Sequence, residues 1–415
     1  MLKYSDVFVP GGFPRYTYNP RDARKIEEQL AEVKENLCKL VTVTGHTKSG
    51  KTVLTRKILP VDEAVWVDGG AVTTEDDLWT SVLEQLDAYT DIDTGFETGT
   101  SSSISGKAKA GANYLIAKGE GELGVAHERS KGSSTGRARK VSNRVAALAA
   151  LRQQSRPLVI DDFHYLPKDL QGGIVRALKP LVFDGVPVVL IAIPHRRYDA
   201  VRVEREMTGR ILPMTIPTWS EAELSYIPSK GFPLLSIGVP DPISLALAKQ
   251  AIGSPHLMQE FCRGIAKYAA SNQISLISPD LDLAPIFRDV ANTIGRPIFE
   301  KLAKGPRQRS DRVKRKLKNG GEADIYELVI HALAHIKPDL ITLEYEDLRA
   351  AIREVTSGSI PQLHEVARVL KHMATIASTD QSSTPVIDFD EADKKLHITD
   401  PFFAFYLRWG DMSGS

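Results

Sequence analysis

Residues 45–52 read Gly-His-Thr-Lys-Ser-Gly-Lys-Thr and satisfy G-x-x-x-x-G-K-[ST] at every position. No other feature constrains the fold as much, because this octapeptide works only between a strand and a helix. Gly45 and Gly50 let the backbone wrap an anion, with successive N–H groups pointing inward. His46, Thr47, Lys48 and Ser49 complete the loop. A helix opening near Lys51 adds the positive end of its dipole. Lys51 then reaches a pair of phosphates, and the Thr52 hydroxyl serves a Mg²⁺ ion between them. The flanks agree: the β-branched run Leu40-Val41-Thr42-Val43 precedes the loop, and a helical pattern follows it. A chance glycine-rich turn lacks that context.

A second constraint lies about 110 residues downstream, by count along the chain. Leu158-Val159-Ile160-Asp161-Asp162 is an apolar strand ending in two carboxylates. By itself it reads as an ordinary acidic turn. With the phosphate loop upstream, Asp161 becomes a ligand of the hard Mg²⁺ shell, and Asp162 the group that orients or polarises an attacking water. Ligands of open α/β sheets sit at the carboxyl ends of strands, where both residues fall. The adjoining Phe163-His164-Tyr165-Leu166 reads as packing and helix entry.

The rest of the N-terminal half supports an α/β sheet. Residues 22–40 carry Ile26, Leu30, Val33 and Leu37 at helical steps. Residues 141–153 and 170–183 read as helices, and 157–160 and 186–193 as buried strands. Continuous apolar strands alternating with helices predict a parallel sheet covered on both faces. Residues 95–140 differ, being rich in Gly, Ser, Ala and Lys. Alternation of apolar and polar residues from 103 to 116 predicts a projecting hairpin, an arm for assembly or partner sensing. The same composition also suits a flexible loop.

After residue 218 the pattern turns helical, starting with Ser220 as a cap and an acidic first turn. Residues 307–318 hold seven basic side chains: Arg307, Arg309, Arg312, Lys314, Arg315, Lys316 and Lys318. They suit either phosphate contact or a solvated linker. Helical patterns near 323–336, 345–355 and 361–377 precede two strand-like segments, 385–389 and 396–399, with 390–395 as the turn. Three helices and a hairpin suggest a winged helix. His364, Arg368, Lys371 and His372 make its third helix modestly basic. Asp388, Asp390, Glu391 and Asp393 make the wing acidic, which is unfavourable for entering a DNA groove.

Composition narrows the class. At ~150 residues per domain, 415 residues predict two or three domains. Lys plus Arg total 53 against 52 Asp plus Glu, which excludes a globally polybasic nucleic-acid coat. Two cysteines, Cys38 and Cys262, exclude a disulfide scaffold or zinc ribbon and fit a reducing compartment. The N-terminal residues show no charged segment followed by a long apolar one. The longest apolar run, 186–193, falls far short of the ~20 residues a membrane helix needs. The expectation is a soluble, cytoplasmic protein with no membrane partner.

Together these residues resemble the P-loop ATPases of the AAA+ and STAND group, especially small prokaryotic ATPases related to archaeal origin-recognition ATPases. Residues 45–52 look like Walker A, and 158–162 like Walker B. Residues 14–21 resemble the segment that meets the adenine base and ribose, which implies contacts from Tyr18 and Arg21. Residues 186–196 are placed like the sensor 1 strand, ending in Pro194-His195-Arg196. Thr208-Gly209-Arg210 is placed like the "GR" element whose Arg acts across a subunit boundary. Gly253-Ser254-Pro255-His256 is similar to the G-x-P element of STAND proteins, and departs from the sensor 2 pattern with its γ-phosphate-binding Arg. Residues 398–409 look like the Phe-rich end that follows the wing in archaeal-type ATPases.

The resemblance implies a P-loop ATPase core at 1–218, with 95–140 as an insertion, a helical lid at 219–300, a basic linker at 301–320 and a winged helix at 321–415. It implies a site for ATP and Mg²⁺ made by residues 45–52, Tyr18, Arg21, Asp161, Asp162, Pro255 and His256, with Arg210 from a neighbouring subunit. The leading expectation is a slowly hydrolysing switch. Its nucleotide state would control self-assembly as a homo-oligomer, or recruitment of an effector on another chain, with prokaryotic antiviral defence as one setting. The alternative is a DNA-binding ATPase of the origin-loader or transposition-regulator type, using 307–318 and the winged helix. A nucleotide-bound scaffold with negligible hydrolysis is the third reading.

Overall fold

The computed structural model describes residues 2–35, 37–88, 141–193, 209–306, 312–338, 342–379, 386–391 and 393–412. The arm expected at 95–140, the sensor element Pro194-His195-Arg196, Thr208 and residues 307–311 lie outside them.

Five parallel strands form the central sheet: β1 (Leu40–Thr44), β2 (Val65–Asp68), β3 (Leu158–Asp161), β4 (Val188–Ala192) and β5 (Ile211–Thr215), in the order β2-β3-β4-β1-β5. Successive side chains of a strand point to opposite faces, and the packing follows that rule. Leu40, Val65, Val67, Leu158, Ile160, Val188 and Leu190 pack on one face with α4 (Glu75–Gln85), α5 (Asn143–Gln154) and α6 (Lys168–Phe183). Val41, Val43, Val159, Val189, Ile191 and Met214 pack on the other with α2 (Ile26–Ala31) and α3 (Lys51–Ile58). The sheet is therefore a buried middle layer, as continuous apolar strands require. The fold is the α/β P-loop sandwich expected.

Beyond β5 come α7 (Glu221–Leu234), α8 (Asp241–Gln250), α9 (Pro255–Asn272) and the long α10 (Ala284–Lys304), which runs through position 300. The C-terminal region contains β6 (Arg315–Lys316), β7 (Glu322–Ala323), α11 (Ile325–Ile336), β8 (Thr342–Glu344), α12 (Tyr345–Val355), α13 (Leu363–Thr379), β9 (Ile387–Asp390), β10 (Lys395–Ile398) and α14 (Pro401–Trp409). The expected hairpin is present, and β8 joins it as a third antiparallel strand. One apolar core spans α7–α14 and takes in Val7 and Phe8 of the N-terminal helix α1 (Tyr4–Val7) and its exit. Phe261 of α9 meets Phe405 of α14 in a tilted contact at 4.9 Å between ring centres, and Phe287 of α10 meets it edge-on at 6.0 Å.

One expectation needs correction. Residues 22–40 do not form one helix: α2 covers only Ile26–Ala31, with short 3-10 turns at Asp22–Arg24 and Glu32–Lys34. The apolar periodicity is real, but Arg21, Lys25 and Cys38 take left-handed conformations (φ 57°, 54° and 48°), so the chain turns at each of these points. In the basic run, three of the five described basic residues are paired. Arg312 pairs with Asp324 at 2.8 Å, Arg315 with Glu365 at 3.6 Å and Lys318 with Glu354 at 3.5 Å. Lys371 and His372 of α13 are likewise engaged, with Glu391 at 2.9 Å and the Tyr326 hydroxyl at 2.8 Å.

Candidate functional site

The loop after β1 turns on Gly50, whose φ of 90° favours glycine, and it leads directly into α3. Lys51, 8% exposed, folds back so that Nζ donates to the carbonyls of Gly45 at 3.0 Å and His46 at 2.9 Å. Burial pushes its ammonium down to about 8, against the opposing pull of Asp162 and Asp161. Burial, with the Lys51 charge behind it, also lowers the His46 imidazole. The hydroxyl oxygens of Thr47 and Ser49 are buried without a hydrogen-bond partner. A buried polar group costs free energy until it is paired. Two orphan hydroxyls in a loop that opens a helix fit the oxygen-rich phosphates of a nucleotide.

Asp161 ends β3 and meets α3 through Thr52, whose Oγ1 donates to Asp161 Oδ1 at 3.2 Å. The same oxygen accepts from the Asp162 N–H at 3.0 Å. Asp162 is left-handed, with φ 49°. Burial, and then the neighbouring Asp161, push its carboxyl up to about 6. Asp161 is also raised, mainly by burial. Asp68, at the end of β2, lies in register with Asp161 and adds a third carboxylate at the strand ends. Gly69 follows it. A Cβ on Gly69 would stand 2.6 Å from the Asp162 carbonyl oxygen and 2.9 Å from that of Asp161, so the backbone of the acidic pair packs on a residue that must lack a side chain.

Above the loop, a cleft of about 280 Å³ lies between the sheet, the N-terminal segment and the residues of 219–259 that follow β5. Thr47, Lys48, Ser49, Gly50, Lys51, Thr52, Tyr18, Arg21, Asp162, Pro255 and His256 all line it. Gly45 and His46 hold Lys51 from behind through their carbonyls, and Asp161 is joined through Thr52. The Arg21 guanidinium is fully engaged: it pairs bidentately with Glu223 at 3.0 and 3.1 Å and donates to the carbonyls of Pro217 and Thr218. It therefore fastens the N-terminal segment to the head of α7. Burial raises the Tyr18 phenol, and the Glu27 carboxylate adds to the shift. Arg210 is not at this cleft. Its carbonyl accepts from the Leu40 N–H at the start of β1, and its guanidinium lies 5.5 Å over the Phe183 ring. That is the end of the sheet opposite the phosphate loop.

Four functional positions escaped the sequence reading. The Trp219 indole N–H donates to the Ser49 carbonyl at 2.9 Å, while Arg21 covers the indole face at 4.7 Å. Gln259 of α9 donates to Thr17 Oγ1 at 2.7 Å and accepts from the Val9 N–H at 3.2 Å. Glu223 and Gly69 complete the set. Burial alone would raise the Glu223 carboxyl, but hydrogen bonds from Arg21, the Ser220 amide and Arg24 bring it down to about 2. Only Glu223 had a local signal, since Ser220 and Glu223 form a capping box at the head of α7.

Among the described residues, no group of three or more His, Cys, Asp or Glu side chains could hold a metal by itself. Thr52 and Asp161 nevertheless fit Mg²⁺, which usually keeps several waters and takes only one or two protein oxygens beside phosphate. No described helix is long and apolar enough to cross a membrane.

No protein-family model matches the sequence, and no curated protein matches it. Solved structures do. A Walker-type ATPase of Pyrococcus abyssi is 14% identical, with 97% of each chain covered and a TM-score of 0.51. Cdc6p of Pyrobaculum aerophilum is 14% identical over 97% of this chain and 96% of its own, with a TM-score of 0.43. The Orc1 protein of Aeropyrum pernix, solved in complex with DNA, is 12% identical over 98% and 95%, with a TM-score of 0.46. The likeness to the Pyrococcus ATPase is one of fold, and it extends from the sheet through the C-terminal domain.

Proposed function

We propose that this chain binds ATP with Mg²⁺ in the cleft over residues 45–52 and hydrolyses it slowly, as a switch whose nucleotide state controls self-assembly or recruitment of a partner. The observation that carries the reading is the junction of Lys51, Thr52, Asp161 and Asp162 beneath a lid that touches the loop directly, through the bond from Trp219 to the Ser49 carbonyl.

In this reading Lys51 turns from the Gly45 and His46 carbonyls to the β- and γ-phosphates, and Thr47 and Ser49 supply hydroxyl donors. Tyr18 and the N-terminal segment border the base and ribose. Mg²⁺ bound beside Thr52 and Asp161 offsets the charge that develops on the phosphates. Asp162 holds and polarises the attacking water, and a carboxyl pushed up to about 6 is still ionised at neutral pH. Arg210 acts on the site of a neighbouring copy, because the sheet separates it from its own. Pro255 and His256 line the cleft and belong to a segment that resembles the G-x-P element rather than one with a sensor arginine, which favours a slow switch over a continuously cycling motor.

The DNA-loader reading draws less support. Of the five described basic residues in 312–318, Arg312, Arg315 and Lys318 are paired within the C-terminal region, and the wing is acidic. The test is particle size by light scattering, with and without Mg-ATP. ATP should change the mass of Asp162→Asn, which traps the bound state. A mass unaltered by ATP, with no co-purifying partner released by it, would contradict the switch.

A further inference from the structure

Lys48 lies in the middle of the phosphate loop in a left-handed conformation, with φ 60°. A glycine there would avoid the strain that a Cβ brings in this region. Its Nζ stands over the ring of Phe402, 5.4 Å from the ring centre. Phe402 belongs to α14, at the far end of the sequence. The ring also meets His256 in a T-shaped contact, 4.8 Å between ring centres and 75° between planes. Its backbone N–H donates to the buried carboxylate of Asp400 at 2.8 Å. The next residues, Phe403, Ala404 and Phe405, are fully buried in the core shared by lid and winged helix. The ring therefore cannot follow the lysine. Lys48 can move, because its ammonium rides on a flexible four-carbon stem.

Lys48 also lines the nucleotide cleft. Besides the Asp400 and Asp162 carboxylates, whose charge this cation also feels, two groups compete for its contact: the Phe402 ring and any terminal phosphate in the cleft. A charge-assisted contact to phosphate is stronger than a cation–π contact at a partly exposed site. We propose that Lys48 is a shared cation, held on Phe402 until a nucleoside triphosphate takes it onto its terminal phosphate, so that triphosphate binding and the contact between phosphate loop and α14 compete for one ammonium group. The inference rests on the nucleotide-binding reading above. A diphosphate leaves the lysine on the ring. By reciprocity, whatever presses α14 against the loop weakens triphosphate binding, and triphosphate loosens α14 from the loop by the same factor.

The test is calorimetric titration with a non-hydrolysable ATP analogue and with ADP, both with Mg²⁺, on the full chain. Phe402→Leu stays apolar, keeps most of the bulk and removes the ring face. It should tighten the ATP analogue ~2- to 5-fold, the size of a partly exposed cation–π contact, and leave ADP unaltered. Lys48→Met, at an exposed position away from any core, should weaken the analogue more than ADP. It should also abolish the effect of Phe402→Leu in the double variant. The inference alone is overturned if wild type binds both nucleotides but Lys48→Met leaves their affinity ratio unchanged. It is equally overturned if Phe402→Leu acts the same with and without Lys48. A wild-type chain that binds neither nucleotide overturns the nucleotide reading, and this inference with it.

Discussion

Thr52, at the head of α3, donates its hydroxyl hydrogen to Asp161, at the tail of β3, over 3.2 Å. That bond joins the phosphate loop to the acidic pair across 109 residues of sequence and two strand positions of the sheet. It leaves Asp162 as the carboxylate of the pair that faces the cleft without a side-chain donor from the loop. The two aspartates consequently have separate tasks.

Asp162→Asn should keep ATP binding and slow hydrolysis by ~10²–10⁴-fold, the range of a lost general base. The pH profile gives the sign. The Asp162 carboxyl, raised to about 6, must be deprotonated to polarise water, so kcat/KM rises as pH passes upward through about 6. The Lys51 ammonium, lowered to about 8, must stay protonated to hold phosphate, so kcat/KM falls as pH passes about 8. The plateau lies between. A steady-state profile that keeps its acid limb in Asp162→Asn would assign that limb to another group.

Gly69→Ala should disturb chemistry more than binding. The new Cβ would meet the Asp162 carbonyl oxygen at 2.6 Å, so the backbone of residues 161–162 has to shift. Overpacking of this kind costs ~1–3 kcal/mol. A lower denaturant midpoint is expected, along with turnover reduced beyond any change in ATP affinity. Wild-type turnover would show that the acidic pair tolerates displacement.

Arg210→Ala should lower hydrolysis at least ~10-fold with ATP affinity nearly unchanged, since arginines supplied across an interface contribute ~10³–10⁵ in efficient systems. Mixing it with Asp162→Asn should restore part of the activity, because some interfaces then pair an intact Asp162 with an intact Arg210. Mixtures no more active than the sum of their parts would place Arg210 in a structural role, through its contact with Phe183.

Much of this was legible in the sequence, for identifiable physical reasons. Residues 45–52 and 158–162 carry local chemistry, β1 is a β-branched run, β4 is continuously apolar and β3 is apolar up to Asp161. The Ser220 cap is local too. By contrast, β2 is only four residues long, with Trp66 half-buried, and gave no clear period. Helix α4 after it was readable but unread: Thr74 and Asp77 form a capping box, and Asp77 Oδ2 also accepts from Thr73. The cleft's upper wall could not be read at all. It depends on pairs such as Gln259 with Thr17, 242 residues apart, and Arg21 with Glu223, 202 apart. Nor could Gly69 be found, because its requirement comes from a neighbouring strand.

The most direct measurement is equilibrium binding of Mg-ATP to the wild-type chain and to Lys51→Ala. Lys51 is buried between the loop carbonyls and the acidic pair, so removing its ammonium deletes the main cationic donor to the phosphates. Saturable, one-to-one binding is expected for wild type, weakened ~10- to 100-fold in Lys51→Ala, the size of a lost charged hydrogen bond or two. Equal affinity in the two proteins, or no saturable binding to wild type, would contradict the assignment of residues 45–52 as the nucleotide site.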